Sequence, residues 1–163
     1  MMGNLSTRTL TAGILLAMSF STGPRVLAQE ESPSLAIEWL SFREAKSQAR
    51  DQDKPVLVHF TAPWCQGCKQ MKKETYTDPQ VIRYVAENFK ASMVDVEKLP
   101  SLARKYDVDS MPTLWFLDAS GKALTSIEGI VGPEKLLRVL EFIGTKAYEE
   151  TDYNSWLHSR KSR

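Results

Sequence analysis

Cysteine and histidine are scarce in this 163-residue chain, with two of each. A secreted scaffold stapled by disulfides usually needs four or more cysteines. A structural zinc site needs four ligands, and Cys65, Cys68, His59 and His158, at awkward spacings, are the whole cysteine and histidine supply. Charge is nearly balanced, 21 basic against 20 acidic residues, which favours neither nucleic acid nor an anionic membrane surface as a partner. No apolar run approaches the ~20 residues that cross a bilayer. No internal repeat or low-complexity tract is visible.

What is present begins with a leader. Arg8 is a positive n-region, Leu10 to Phe20 is apolar apart from small residues and threonine, and Val26-Leu27-Ala28 offers a cleavage pattern. Residues 1–28 therefore read as a cleaved secretory signal, and residues 29–36, polar and containing Pro33, as a flexible lead-in. No cysteine near the cut supports a lipid anchor. Two of the 21 basic residues, Arg8 and Arg25, lie in the leader, leaving 19 against 20 acidic in a mature, exported and soluble chain.

The rest alternates strand and helix signals. Ile37 to Leu40 is a short strand, and Ser41-Phe-Arg-Glu44 is a capping box opening a helix to Asp51, with Phe42, Ala45 and Ala49 on one face. Val56 to Phe60 has the continuous apolar character of a strand buried on both faces, broken only by His59. Helices are predicted from Cys65 to Thr75, from Asp78-Pro79 to Asn88, and from Leu99 to Tyr106. Strands are predicted over Ala91 to Val96 and Thr113 to Leu117, then a turn at Asp118 to Gly121 into a strand over Ala123 to Ile127. Gly132-Pro133 opens a helix with Leu136, Leu137, Leu140 and Ile143 at helical spacing. The pattern predicts a mixed central sheet with a C-terminal hairpin and helices on both faces, an α/β sandwich. In the extension over residues 144–163, Tyr153, Trp156 and Leu157 share a helical face and predict a docked extra helix.

The two cysteines stand three positions apart directly after the apolar strand. At the first turn of the following helix, unsatisfied N–H groups and the positive end of the dipole favour a thiolate at Cys65, which should be exposed. Cys68 lies one turn on along the same face, within the ~4.4–6.8 Å Cα separation that a disulfide tolerates. A two-residue loop restrains the unfolded chain very little, so the pair reads as chemical rather than structural. One thiol attacks a substrate disulfide and the other resolves the mixed disulfide.

Over Ile37 to Ile143 the sequence resembles the thioredoxin family. Trp64-Cys65-Gln66-Gly67-Cys68-Lys69 is similar to the family's Trp-Cys-x-x-Cys-Lys site, Met111-Pro112-Thr113 to its cis-proline loop, Asp118 to Gly121 to its hairpin turn, and Gly129 to the glycine before the last helix. Thr61 to Val81 resembles the exported branch that includes the C-terminal periplasmic domain of the transmembrane disulfide reductase DsbD. The resemblance implies a thioredoxin-like three-layer sandwich over residues 37–143 and a periplasmic thiol:disulfide oxidoreductase. It needs no cofactor beyond the Cys65–Cys68 couple, acts on disulfide-containing exported proteins, and is supplied with electrons by a membrane thiol reductant of the DsbD type. It also implies that Cys65 attacks and Cys68 resolves, with Trp64, Gln66, Gly67, Met111 and Pro112 lining the site. An isomerase of this kind usually carries a dimerisation module; none is visible, so a monomeric reductase is expected. Two further readings stand beside it, a thioredoxin-fold binding adaptor whose cysteines are incidental and a thiol-based copper(I) carrier.

Two positions depart from the family. His59 stands where a buried Asp usually serves as proton acceptor for the second cysteine, and Met93 where a lysine usually pairs with that acid. The functional expectation is that His59 replaces the acid as a proton relay for Cys68. The structural expectation is a neutral histidine bonded to a backbone carbonyl. Gln66-Gly67 differs from the Gly-Pro of cytosolic thioredoxins, so no reduction potential carries over.

Overall fold

The structure, a computed structural model, describes residues 36–161. The expected signal segment and all but the last residue of the lead-in lie outside the described residues. The elements run β1 (Trp39–Leu40), α1 (Phe42–Gln52), β2 (Val56–Thr61), α2 (Gln66–Glu74), α3 (Pro79–Asn88), β3 (Lys90–Asp95), α4 (Pro100–Lys105), β4 (Thr113–Leu117), β5 (Ala123–Glu128), α5 (Pro133–Gly144) and α6 (Tyr153–Lys161). A short 3-10 turn over Ala147–Glu149, not anticipated from the sequence, joins the last two helices.

The five strands form one sheet in the order β1-β3-β2-β4-β5. β3 runs parallel to β1 and β2, while β4 is antiparallel to both β2 and β5. Every residue of β2 is buried. Its side chains alternate between the two faces of the sheet. Val56, Val58 and Phe60 join Ala45 and Ala49 of α1 and Ala103 of α4 on one face. Leu57 joins Met71 of α2, Val81, Ile82 and Val85 of α3, and Leu136 and Leu140 of α5 on the other. Full burial of side chains such as Leu57, Phe60, Leu114 and Phe116 contributes roughly 1.5–3 kcal/mol each. The middle strands are therefore the firm platform, and the site grows from the end of β2.

Local signals set the helix starts. The Ser41 hydroxyl accepts from Glu44 N at 3.3 Å, and the Glu44 carboxylate accepts from Ser41 N at 3.1 Å. Asp78 accepts from Gln80 N at 2.9 Å and Val81 N at 3.1 Å, and Pro79 supplies the first residue of α3. At the hairpin turn Gly121 adopts φ +88°, a region that side chains disfavour. On α6, the rings of Tyr153 and Trp156 each pack 5.4 Å from that of Phe142 on α5. Leu157 is half-buried. The docked helix expected in the extension is thus present.

Candidate active site

β2 ends at Thr61, and four residues later Cys65 forms the N-cap of α2, one position before the helix rather than inside its first turn. Cys65 N donates to Ala62 O at 3.1 Å, and Cys68 N donates to Cys65 Sγ at 3.0 Å. Cys65 and Cys68 are joined as a disulfide with a Cα separation of 5.3 Å, inside the expected range. The expectation that Cys65 is exposed is not met: it is 3% exposed and Cys68 is 1% exposed. Closed into the disulfide, the Cys65 sulfur turns back over the first turn of α2 to meet the Cys68 N–H. Ala62, Val96 and Met111 pack around the pair.

The lining residues take distinct places. Trp64 is 60% exposed, and its indole N–H donates to Glu97 Oε1 at 2.8 Å. Gln66 and Lys69 are exposed, Gly67 is half-buried, Met111 is half-buried and Pro112 is buried. The Met111–Pro112 bond is cis. A Cβ built on Gly67 would lie 3.0 Å from Pro112 Cδ and 2.9 Å from Ile130 Cγ1, so the proline ring and Ile130 close over the glycine. The proline loop is tied to the end of β5 by Gly129 N donating to Pro112 O at 2.8 Å and by Ser110 Oγ donating to Glu128 at 3.1 Å.

Ile130 was not legible as a site residue. It is a large apolar side chain, 53% exposed, in a loop without periodicity, and only its position just after Gly129 hinted at a role.

His59 is fully buried and sits in register with Met93 of β3 and Leu114 of β4. Its partner is a side chain, not the backbone carbonyl expected from the sequence: Nδ1 shares a short hydrogen bond with the Tyr76 hydroxyl. The rings of Trp39 and Tyr76 stand edge-on to the imidazole at 6.3 and 5.4 Å. Burial, then the charge of Lys72, pushes the His59 pKa down to about 3, so the ring is neutral at pH 7. Burial also pushes the Tyr76 phenol well above its usual value, so it keeps its proton. Tyr76 carried no sequence signal, since it lies in the turn between α2 and α3 and its partner is 17 positions away.

Among the described residues no three His, Cys, Asp or Glu side chains converge as a metal site, and no helix is long and apolar enough to cross a membrane. The arrangement offers a reversible sulfur–sulfur bond at a helix N-terminus, beside a cis-proline loop. The family model that matches the chain, over residues 42–144, is the thioredoxin-like domain. The chain belongs to the thioredoxin-like family. This thioredoxin-like chain is 29% identical over 114 residues to the thiol:disulfide interchange protein DsbD of Campylobacter jejuni, covering 66% of this chain and 20% of that protein. It thus spans about a fifth of that relative's length. It is 33% identical over 114 residues to the chloroplastic thioredoxin Y2 of Arabidopsis thaliana, covering 63% of this chain and 64% of that one. Among solved structures, a thioredoxin from Thermus thermophilus matches with a TM-score of 0.61 at 27% identity, covering 66% of this chain and 87% of that one. The family is one of thiol:disulfide oxidoreductases, and Cys65 and Cys68 stand at disulfide distance in this chain.

Proposed function

We propose that the protein is an exported, periplasmic thiol:disulfide oxidoreductase that works as a reductase of protein disulfides. The observation that carries this reading is the Cys65–Cys68 disulfide at the N-terminus of α2, beside the cis Met111–Pro112 bond. In the dithiol form the Cys65 thiolate attacks one sulfur of a substrate disulfide. The substrate bond breaks, a mixed disulfide forms, and the first substrate thiolate leaves. Cys68 then loses its proton and attacks Cys65 Sγ, which re-forms the Cys65–Cys68 bond and expels the second substrate thiolate. The substrate has gained two electrons and two protons, and a membrane dithiol reductant restores the enzyme. Half-buried Met111 offers its backbone to an extended substrate segment, while Trp64, Gln66 and Gly67 frame the entry. The N-terminal leader read from the sequence supports export.

The deciding measurements are the reduction potential of the couple and the behaviour of the cysteine variants. A potential near −270 mV fits a reductant, whereas one near −120 mV marks an oxidant and overturns the proposed direction. Cys65→Ser should abolish disulfide exchange and Cys68→Ser should accumulate a mixed disulfide. Undiminished exchange by Cys65→Ser would remove the redox reading altogether.

A further inference from the structure

The sheet has two outer edges, and they are unequal. β1 is two residues long, and so short an edge resists pairing with other chains. β5 has six residues, Ala123–Glu128, and among the described residues it pairs on one side only, with β4. Its outer N–H and C=O groups are a template about 20 Å long, at roughly 3.3 Å per residue. Such edges are usually blunted by a proline or a lysine within the strand. Ala-Leu-Thr-Ser-Ile-Glu contains neither, and its one register shift, between Phe116 and Leu117 of β4, touches only its first residues.

Beside this strand, between β5 and α5, lies a groove of about 570 Å³. Thr125 and Ile127 of β5, Val139 and Phe142 of α5, and Tyr148 and Tyr153 of the extension line it. Ile127, Tyr148 and Tyr153 are only half-buried, so the groove offers apolar surface, part of it from residues beyond the family match at 144. Lys135, in the first turn of α5, also lines the groove. It is exposed, and no ion pair joins it to a described residue. The Asp152 carboxylate lines the groove too, but it caps α6 by accepting from Asn154 N, Ser155 N and Ser155 Oγ. Lys135 is thus the charge left to meet a ligand. The strand also leads to the disulfide. Gly129, directly after β5, donates to Pro112 O at 2.8 Å, and Ile130 closes over Gly67. Ile127 in the groove precedes Ile130 by three residues, roughly 10 Å of extended chain.

Resting on the oxidoreductase reading, we propose that the open edge of β5 and the groove beside it are a second docking site for the protein substrate, and that the occupant is an extended, largely apolar segment carrying an acidic side chain. The segment lies along β5 as an added strand. Backbone hydrogen bonds hold it with little regard to sequence, while alternate side chains enter the groove. Its carboxylate pairs with Lys135. The far end of such a segment passes Ile130 and reaches the Cys65–Cys68 pair, so a substrate disulfide and its flanking chain are held at once. Holding the flank raises the local concentration of the disulfide at Cys65. Unfolded and partly folded chains can offer an extended segment of this length, whereas compact ones keep their strands paired. The site therefore selects incompletely folded disulfide proteins.

The test uses the whole oxidised protein and, as probe, reduced and carboxamidomethylated lactalbumin, an unfolded chain with neither thiol nor disulfide. In 15N–1H correlation spectra the amides of residues 123–128 should shift and exchange more slowly when the probe is added. Thr125→Arg places a long charged side chain in the groove from an exposed position and should raise the Kd of the probe about tenfold. Lys135→Glu should raise it about threefold, the size of an exposed ion pair. In turnover, the ratio of kcat/KM for scrambled lactalbumin to that for oxidised glutathione should fall by similar factors, through KM. β5 amides unmoved by the probe, or parental Kd values in either variant, overturn the proposal. So does slowed exchange of the β5 amides on raising the protein concentration without probe, which would make a second copy of the chain the occupant. Binding of this probe needs no cysteine chemistry, so its failure is distinguishable from failure of the oxidoreductase reading in the Cys65→Ser assay.

Discussion

Gly67 and Ile130 behave as a matched pair, and a double-mutant cycle measures the match. In an open helix, replacing glycine by alanine gains about 0.5–1 kcal/mol by restricting the unfolded chain. At position 67 the new methyl would sit 2.9 Å from Ile130 Cγ1 and 3.0 Å from Pro112 Cδ, well inside the roughly 3.5–4.0 Å at which carbons rest. Overpacking typically costs about 1–3 kcal/mol, so crowding outweighs propensity. Gly67→Ala should lower the stability of the oxidised protein by about 1 kcal/mol. Ile130 is 53% exposed, so Ile130→Ala forfeits only about half of the roughly 1.5–3 kcal/mol of a full burial. It also removes the nearer of the two crowding atoms. The double variant should then be more stable than the sum of the singles by about 1 kcal/mol, read from urea denaturation of the four oxidised proteins. Additivity within about 0.3–0.5 kcal/mol would mean that the residues are independent, and the reasoning would be refuted. Disulfide exchange gives a second readout, because the methyl of Gly67→Ala also pushes on the Pro112 loop. Exchange should slow in that variant and recover in the double.

Two further outcomes follow from burial and capping. The folded-state pKa of His59 is depressed from 6.5 to about 3, so between those values the unfolded chain holds the proton and the folded one does not. This contribution is complete above about pH 6.5 and is lost as pH falls toward 3, with about 3 kcal/mol gone by pH 4. Denaturation at pH 7 and pH 4 should therefore show a smaller acid-induced loss in His59→Leu than in the parent; equal losses would refute the shift. Ser41→Ala removes the hydroxyl that accepts from Glu44 N in the α1 capping box, leaving the backbone N–H of residue 41 to donate to Glu44, and should cost about 1 kcal/mol, seen as a lower urea midpoint with unchanged disulfide exchange.

Much of the architecture was legible because it is written locally. The apolar run Val56 to Phe60, the Ser41–Glu44 box and Asp78-Pro79 each state their element within a few residues, and strand and helix ends fell within one or two positions of those expected. The cysteine pair was legible from spacing, and the cis Met111–Pro112 bond only through family resemblance. Tyr76 and Ile130 were hidden for a different reason. Each meets its partner across the fold, Tyr76 reaching His59 and Ile130 reaching Gly67, and no short-range period encodes such encounters. The exposure expected for Cys65 followed from reasoning about a free thiolate. In the closed disulfide Cys65 is buried instead.

The family match ends at residue 144, but the cohesive part of this molecule does not. Phe142 is 7% exposed with the Tyr153 ring edge-on and the Trp156 ring tilted against it, and Arg160 reaches back to Glu141 at 3.2 Å. A chain cut at the homology limit would turn that aromatic seam toward water, an apolar surface of the kind that drives self-association. Kinship and cooperativity thus set different borders on this chain, and the second lies at least a helix further along.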